Sequence, residues 1–199
     1  MYRDYMKKIF SLLFLSVLCV GMYAQAVDFQ KAVRKFKGMS SVVAVATRVD
    51  HKAAVANDEK FIGTMTIVAP DKMNISVADG KEQLDMTGDE FTMVMRGREH
   101  KTSSKKDNQF VAFQAVLKAI INADGSKLDE IPGVTLTQEA DIITIKMDPS
   151  IGEDKKKRML FSSFLITLDS KKGEFRTLRM NGRGKNYTEY SFSSFEFKQ

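Results

Sequence analysis

The chain has 199 residues, a net charge of +6, two histidines, one cysteine and no tryptophan. That length suits one ordinary domain with a sizeable apolar core. The charge excess is modest and no basic run is interleaved with aromatics, which argues against nucleic acid as a partner; two histidines and one cysteine leave little for metal or nucleophilic chemistry.

Arg3, Lys7 and Lys8 precede an apolar run over residues 9–22, and Ala24-Gln25-Ala26 supplies small residues for cleavage after Ala24 or Ala26. The run is shorter than the roughly 20 residues of a comfortable membrane span. Residues 1–26 therefore read as a signal peptide and 27–199 as a single exported domain. Cys19 sits between Leu18 and Val20, without the small preceding residue that lipidation requires. Beyond residue 26 there is no cysteine, hence neither disulfide nor thiol nucleophile, a pattern that favours a bacterial envelope protein. That part carries 28 basic against 24 acidic residues, a net +4.

Residues 28–36 read as an opening helix, with Phe29, Ala32, Val33 and Phe36 as its apolar stripe and Gly38 as its end. Strands follow. Residues 41–49, rich in valine and alanine, read as a strand buried on both faces, and 50–59 as a polar connection. Residues 61–68 place Phe61, Met65 and Ile67 on one face, and 72–77 alternate Met73, Ile75 and Val77. Asp79-Gly80 marks a tight hairpin. Leu84 and Met86 continue the alternation to Gly88-Asp89, and Phe91, Met93 and Met95 carry it to Gly97. Residues 101–107 read as a polar loop.

The stretch 108–124 breaks this period. Phe110, Phe113, Leu117, Ile120 and Ile121 recur at helical spacing, with Asn108 able to cap the start and Gly125 placed for a positive φ at the end. A mainly β chain with one long apolar helix must cover that face with a sheet, so the strands are expected to curve around it. Strand patterns resume at 134–138, 142–147, 159–168, 175–180 and 185–197, as an antiparallel meander with short connections.

Catalytic signals are thin. His51 and His100 lack a second ligand at metal spacing, no glycine-rich loop opens a helix, and no cofactor motif is present. Residues 122–130 match a calcium loop poorly and read better as a helix end. Asn74-Ile75-Ser76 and Asn186-Tyr187-Thr188 fit glycosylation sequons but say little in a bacterial chain. The basic run Lys155-Lys156-Lys157-Arg158 reads as a solvated loop, with contact to an anionic membrane or partner as the alternative. The apolar set stands out more: nine of the 12 methionines and twelve of the 14 phenylalanines lie after residue 26. Methionine adapts to varied apolar partners, although it also serves as an ordinary core filler.

Three segments carry a family resemblance. Gly63-Thr64-Met65-Thr66-Ile67-Val68-Ala69-Pro70 resembles a strand that starts at glycine and ends at proline. A turn at Asp79-Gly80 or Gly88-Asp89 follows. The chain closes with Leu168-Asp169, Gly173-Glu174-Phe175-Arg176-Thr177-Leu178 and Asn186-Tyr187-Thr188-Glu189-Tyr190-Ser191-Phe192. Together they resemble the periplasmic outer-membrane lipoprotein carrier family, LolA-like proteins. The resemblance implies an α+β fold, an incomplete, strongly curved antiparallel β-barrel covered by a helical lid. It implies a monomeric, non-enzymatic periplasmic carrier that shields lipoprotein acyl chains and passes them from an inner-membrane releasing complex to an outer-membrane acceptor.

The cavity candidates are Phe61, Met65, Ile67, Met73, Ile75, Leu84, Met86, Phe91, Met93, Met95, Phe110, Phe113 and Leu117; the register decides which strand face they share. The family's lid-latching arginine before the proline is Ala69 here, leaving Arg48 or Arg96 as substitutes. Two other readings stay open: a non-catalytic envelope binding or scaffold protein with a filled core, and a hydrolase acting on lipids or glycans.

Overall fold

A computed structural model describes residues 27–95, 97–105, 110–149 and 160–199. The segment 1–26, with Cys19, lies outside the described residues, as do Arg96, Asn108 and the basic run 155–158.

The described residues open with α1 (Phe29–Ala32), capped by the Asp28 carboxylate accepting from Lys31 N–H at 3.2 Å. It tightens into a 3-10 turn over Arg34–Phe36, and Gly38 reverses the chain at φ +75°. Six strands follow: β1 (Ser41–His51), β2 (Glu59–Val68), β3 (Lys72–Val77), β4 (Glu82–Thr87), β5 (Glu90–Met95) and β6 (Arg98–Ser103). The interior helix α2 (Val111–Ile121) and a 3-10 turn at Leu128–Glu130 lead to β7 (Val134–Glu139), β8 (Ile142–Met147), β9 (Ser163–Asp169), β10 (Glu174–Asn181) and β11 (Tyr187–Lys198).

The 11 described strands form one sheet in the order β6-β5-β4-β3-β2-β1-β11-β10-β9-β8-β7. Every pairing is antiparallel. β6 and β7 are the two edges, so the sheet is open. Its curvature follows from what α2 touches. Phe110 stacks on Phe91 of β5 with ring centroids 4.2 Å apart, while Phe113 stacks on Phe164 of β9 at 4.8 Å. Those strands stand far apart in the sheet order, so one helix reaches both only because the sheet wraps around it. A register shift between Val43 and Val45, in the central β1–β11 pair, and another between Phe175 and Thr177 add local twist and bend.

The alternation expected for β2 to β5 is present, and Met65, Ile67, Met73, Ile75, Leu84 and Met86 are fully buried. Gly63 matters at the β2–β3 pair: a Cβ there would stand 1.9 Å from the Ser76 carbonyl oxygen. Glycine alone permits this approach.

Four expectations need correction. β1 is not buried on both faces: Val42, Ala44 and Ala46 point inward, but Val43 and Val45 are 36% and 39% exposed. The segment read partly as a polar loop is β6, whose residues are exposed or half-buried and carry no apolar alternation. It is a strand because the free edge of β5 offers it a full ladder from Glu90↔Ser103 to Met95↔Arg98. The positive φ after α2 falls on Ala123 (φ 51°), not Gly125. Gly125 is needed for space instead, since a Cβ there would meet the Phe29 ring at 2.3 Å. Finally, β9 begins at Ser163, later than the alternation suggested.

Candidate functional site

The inner face of the sheet and the helix against it form the candidate site. Residues alternating at period two on β2–β5 and at helical spacing on α2 converge there because each element has one apolar face. Of the predicted cavity residues, Met65, Ile67, Met73, Ile75, Leu84, Met86, Phe91, Met93, Phe110, Phe113 and Leu117 lie in one continuous buried cluster. Phe61 and Met95 pack against it half-buried, at the rim. The other half of the face was absent from that set: Ile143, Ile145 and Met147 of β8, Phe164, Ile166 and Leu168 of β9, and Leu178 and Met180 of β10 are all buried. Their alternation was visible in the sequence; their convergence with β2–β5 was not.

In this arrangement α2 fills the interior. Phe113, Val116, Leu117 and Ile120 have no exposed surface, and Phe110, Phe161 and Phe164 form an aromatic cluster beside them. Among the described residues, few polar contacts tie the helix to the strands and turns around it. Asn122, its C-cap, donates from Nδ2 to the Pro70 carbonyl at 3.0 Å, and Lys118 Nζ stands 3.8 Å from Asp89. The Lys105 ammonium, 2.8 Å from Asp89, holds that carboxyl below its usual range by hydrogen bond and charge.

At one end of the inner face the apolar alternation of β1 gives way to Arg48 and Asp50. Arg48, 1% exposed, donates from Nε and Nη2 to the two Asp50 oxygens at 2.9 and 2.7 Å, and from Nη1 to Glu82 of β4. Thr188 of β11 donates to Asp50 Oδ1 at 2.8 Å. The guanidinium lies 5.7 Å from the Phe61 ring centroid and 5.9 Å from that of Tyr190. Burial pushes the Tyr190 phenol up, opposed by the positive Arg48 and assisted by Asp50. A buried charge needs such partners, because an unpaired ion here would be strongly disfavoured. Arg48 therefore does not reach α2, and its role as a substitute latch is overturned; Arg96 lies outside the described residues.

A cavity of about 330 Å³ opens beside this cluster, between Met95, Phe161 and Met180 on its apolar side and Asp50, Tyr187 and Thr188 on its polar side. A second, of about 390 Å³, opens between Phe91, Met93 and Phe110 and the β6 edge at His100 and Thr102. Sequence reasoning missed the Arg48–Asp50–Glu82–Thr188 network, although the i, i+2 run Val42, Ala44, Ala46, Arg48, Asp50 on one strand was its signal.

The histidines lie apart. His51 pairs through Nδ1 with Asp58 at 2.8 Å and stacks on Tyr187, while His100 is exposed on β6. Among the described residues neither is hydrogen-bonded to a serine, and no group of three His, Cys, Asp or Glu there is placed to hold a metal ion. Residues 122–130 end the helix, with Asp124 Oδ1 accepting from Ser126 N–H at 3.0 Å.

No family model and no curated protein matches the sequence. Among solved structures, the chain is similar to LolA superfamily proteins. One such protein, from Nitrosomonas europaea, is 8% identical with a TM-score of 0.39, over 90% of this chain and 95% of its own. An outer-membrane lipoprotein-sorting protein domain from Vibrio parahaemolyticus is 11% identical with a TM-score of 0.41, over 86% and 92%. The lipoprotein LppX of Mycobacterium tuberculosis is 12% identical with a TM-score of 0.35, over 86% and 96%. At these identities nothing about ligands transfers, so the functional reading stands on the geometry of the inner face.

Proposed function

We propose that this protein is a periplasmic, non-enzymatic carrier. It shelters lipoprotein acyl chains on the concave face of the sheet, with α2 as a lid that occupies the ligand's place. The observation that carries the reading is the wrapping of an open sheet, lined by methionine and branched aliphatic residues, around one apolar helix whose described polar contacts to the strands and turns around it are those of Lys118 and Asn122 near its C-terminal end. Each methylene moved from water to such a face gains about 0.8 kcal/mol, so acylated chains cannot cross an aqueous compartment unshielded. A lid competing for the same surface lowers net affinity by the cost of opening, which keeps binding weak enough for release. Residues 1–26 act as the cleaved export signal. The releasing complex and the outer-membrane acceptor follow from the sequence resemblance, and the carrier acts as a monomer.

A second reading has one observation in its favour. The interior is packed by Phe113, Val116, Leu117 and Ile120 without exposed surface, as a permanently filled core would be. The protein would then be an envelope binding or scaffold protein that uses its outer surfaces. Titrating the domain spanning residues 27–199 with N-phenyl-1-naphthylamine separates the two. Saturable fluorescence enhancement, displaced by acylated lipopeptide, is the carrier outcome. No saturable uptake leaves the filled core.

A further inference from the structure

Gln114 is the one polar residue on the inward stripe of α2. It stands at i, i+4, i+7 and i+11 with Phe110, Leu117 and Ile121, and all four are buried. It is 7% exposed, and its Nε2 is the one buried side-chain nitrogen or oxygen without a hydrogen-bond partner among the described residues. A buried unpartnered donor destabilises the closed protein, and leucine or methionine at that place would not. One turn to either side, α2 is held to the same hairpin: Phe110 stacks on Phe91 at 4.2 Å, and Lys118 lies 3.8 Å from Asp89. Gln114 thus lies on the seam between the helix and the β4–β5 hairpin. One turn towards the start of α2, the cavity of about 390 Å³ is lined by Phe91, Met93 and Phe110.

We propose that Gln114 is the specificity contact of the acyl site, donating from Nε2 to the carbonyl oxygen of an acyl ester or acyl amide whose chain enters along this seam. The inference rests on the carrier reading given above. The chemistry is selective in two ways. An amide NH2 only donates, so its partner must be an acceptor. It is also uncharged, so it suits a neutral carbonyl beside an apolar chain better than an anionic head, which would need a cation. The carbonyl that joins an acyl chain to a lipoprotein or glycerol head is such an acceptor.

The test uses residues 27–199, which hold every described element, with N-phenyl-1-naphthylamine as reporter. It is displaced by methyl laurate and, separately, by dodecyl methyl ether, which has the same chain but no carbonyl. The wild type is expected to prefer the ester by about five- to tenfold, the size of one net hydrogen bond. Gln114→Met, which keeps length and shape, is expected to bind both equally and to melt at a higher temperature without ligand. Equal affinity of the wild type for ester and ether, or an ester preference retained in Gln114→Met, overturns the inference while leaving the carrier reading intact. So does loss of folding in Gln114→Met, since the amide would then hold a partner in the closed state. A wild type that binds neither compound overturns both.

Discussion

Asn122 and Pro70 are joined by a hydrogen bond of 3.0 Å that fixes the end of α2 to the turn between β2 and β3. The resemblance to lipoprotein carriers placed an arginine beside this proline as donor towards the lid. Here Ala69 fills that position, and the bond runs the other way, from the helix cap to the turn's carbonyl. The same Nδ2 also donates to the Lys118 carbonyl at 2.8 Å, so one side chain closes the helix and anchors it.

Asn122→Ala is therefore expected to loosen α2 more than the sheet. The bond is solvent-exposed, so the global loss should be only about 0.5–1.5 kcal/mol. Hydrogen exchange should accelerate in Val111–Ile121 before it does in β1 or β11. Uniform acceleration across the domain would count against Asn122 as an anchor of the helix.

Phe113 has no exposed surface and stacks on Phe164 at 4.8 Å. Phe113→Ala should cost about 3–5 kcal/mol in urea denaturation, as expected for an emptied aromatic site. On the carrier reading the same variant takes up N-phenyl-1-naphthylamine more tightly, because the lid competes less well. Phe113→Asp, which puts a charge on the apolar face, should on the same reading impair carrying more than folding. A stability loss without gain in uptake by Phe113→Ala, or outright unfolding of Phe113→Asp, is the outcome of a permanent core.

Arg48 is the charge on which the end of the inner face depends. Arg48→Met keeps the volume but leaves the buried Asp50 without its bidentate partner, and should cost about 3–5 kcal/mol. Adding Asp50→Asn, which removes the stranded charge, should return part of that loss, since the two sites are coupled. Strict additivity of the two changes in urea titrations would show that the pair does not act as one unit.

Tyr190 supplies a pH test. Burial raises its pKa above the ordinary tyrosine value, so the folded protein holds the phenol proton where the unfolded chain releases it. Its contribution is fully present below about pH 10, the unfolded tyrosine pKa, and is lost as pH rises through the higher folded value. Between pH 9 and pH 11 the urea midpoint of the wild type should fall more steeply than that of Tyr190→Phe. Parallel profiles would remove Tyr190 as the cause.

The sequence alone determined the kinds of element and which face of most of them is apolar. Period-two runs at Met73–Ile75–Val77 and Leu84–Met86 and the helical stripe from Phe110 to Ile121 state their burial directly, because side-chain direction is fixed by local backbone geometry. β6 could not be read that way, since Glu99, His100 and Lys101 have no apolar partner face and pair only because β5 leaves an edge free. Nor could the role of Gly125, whose constraint is the Phe29 ring from a distant part of the chain.

Only the tertiary structure brought β8–β10 round to the far side of α2, and only it supplied Glu82, Thr188 and Tyr190 as partners for Arg48 and Asp50, whose inward direction the i, i+2 run on β1 already marked. Those relations depend on which strands become neighbours and how far the sheet bends. They are long-range consequences of register and bulges that no local pattern encodes. The same holds for Gln114: its place on the stripe was written in the sequence, but its lack of a partner exists only once the helix is packed.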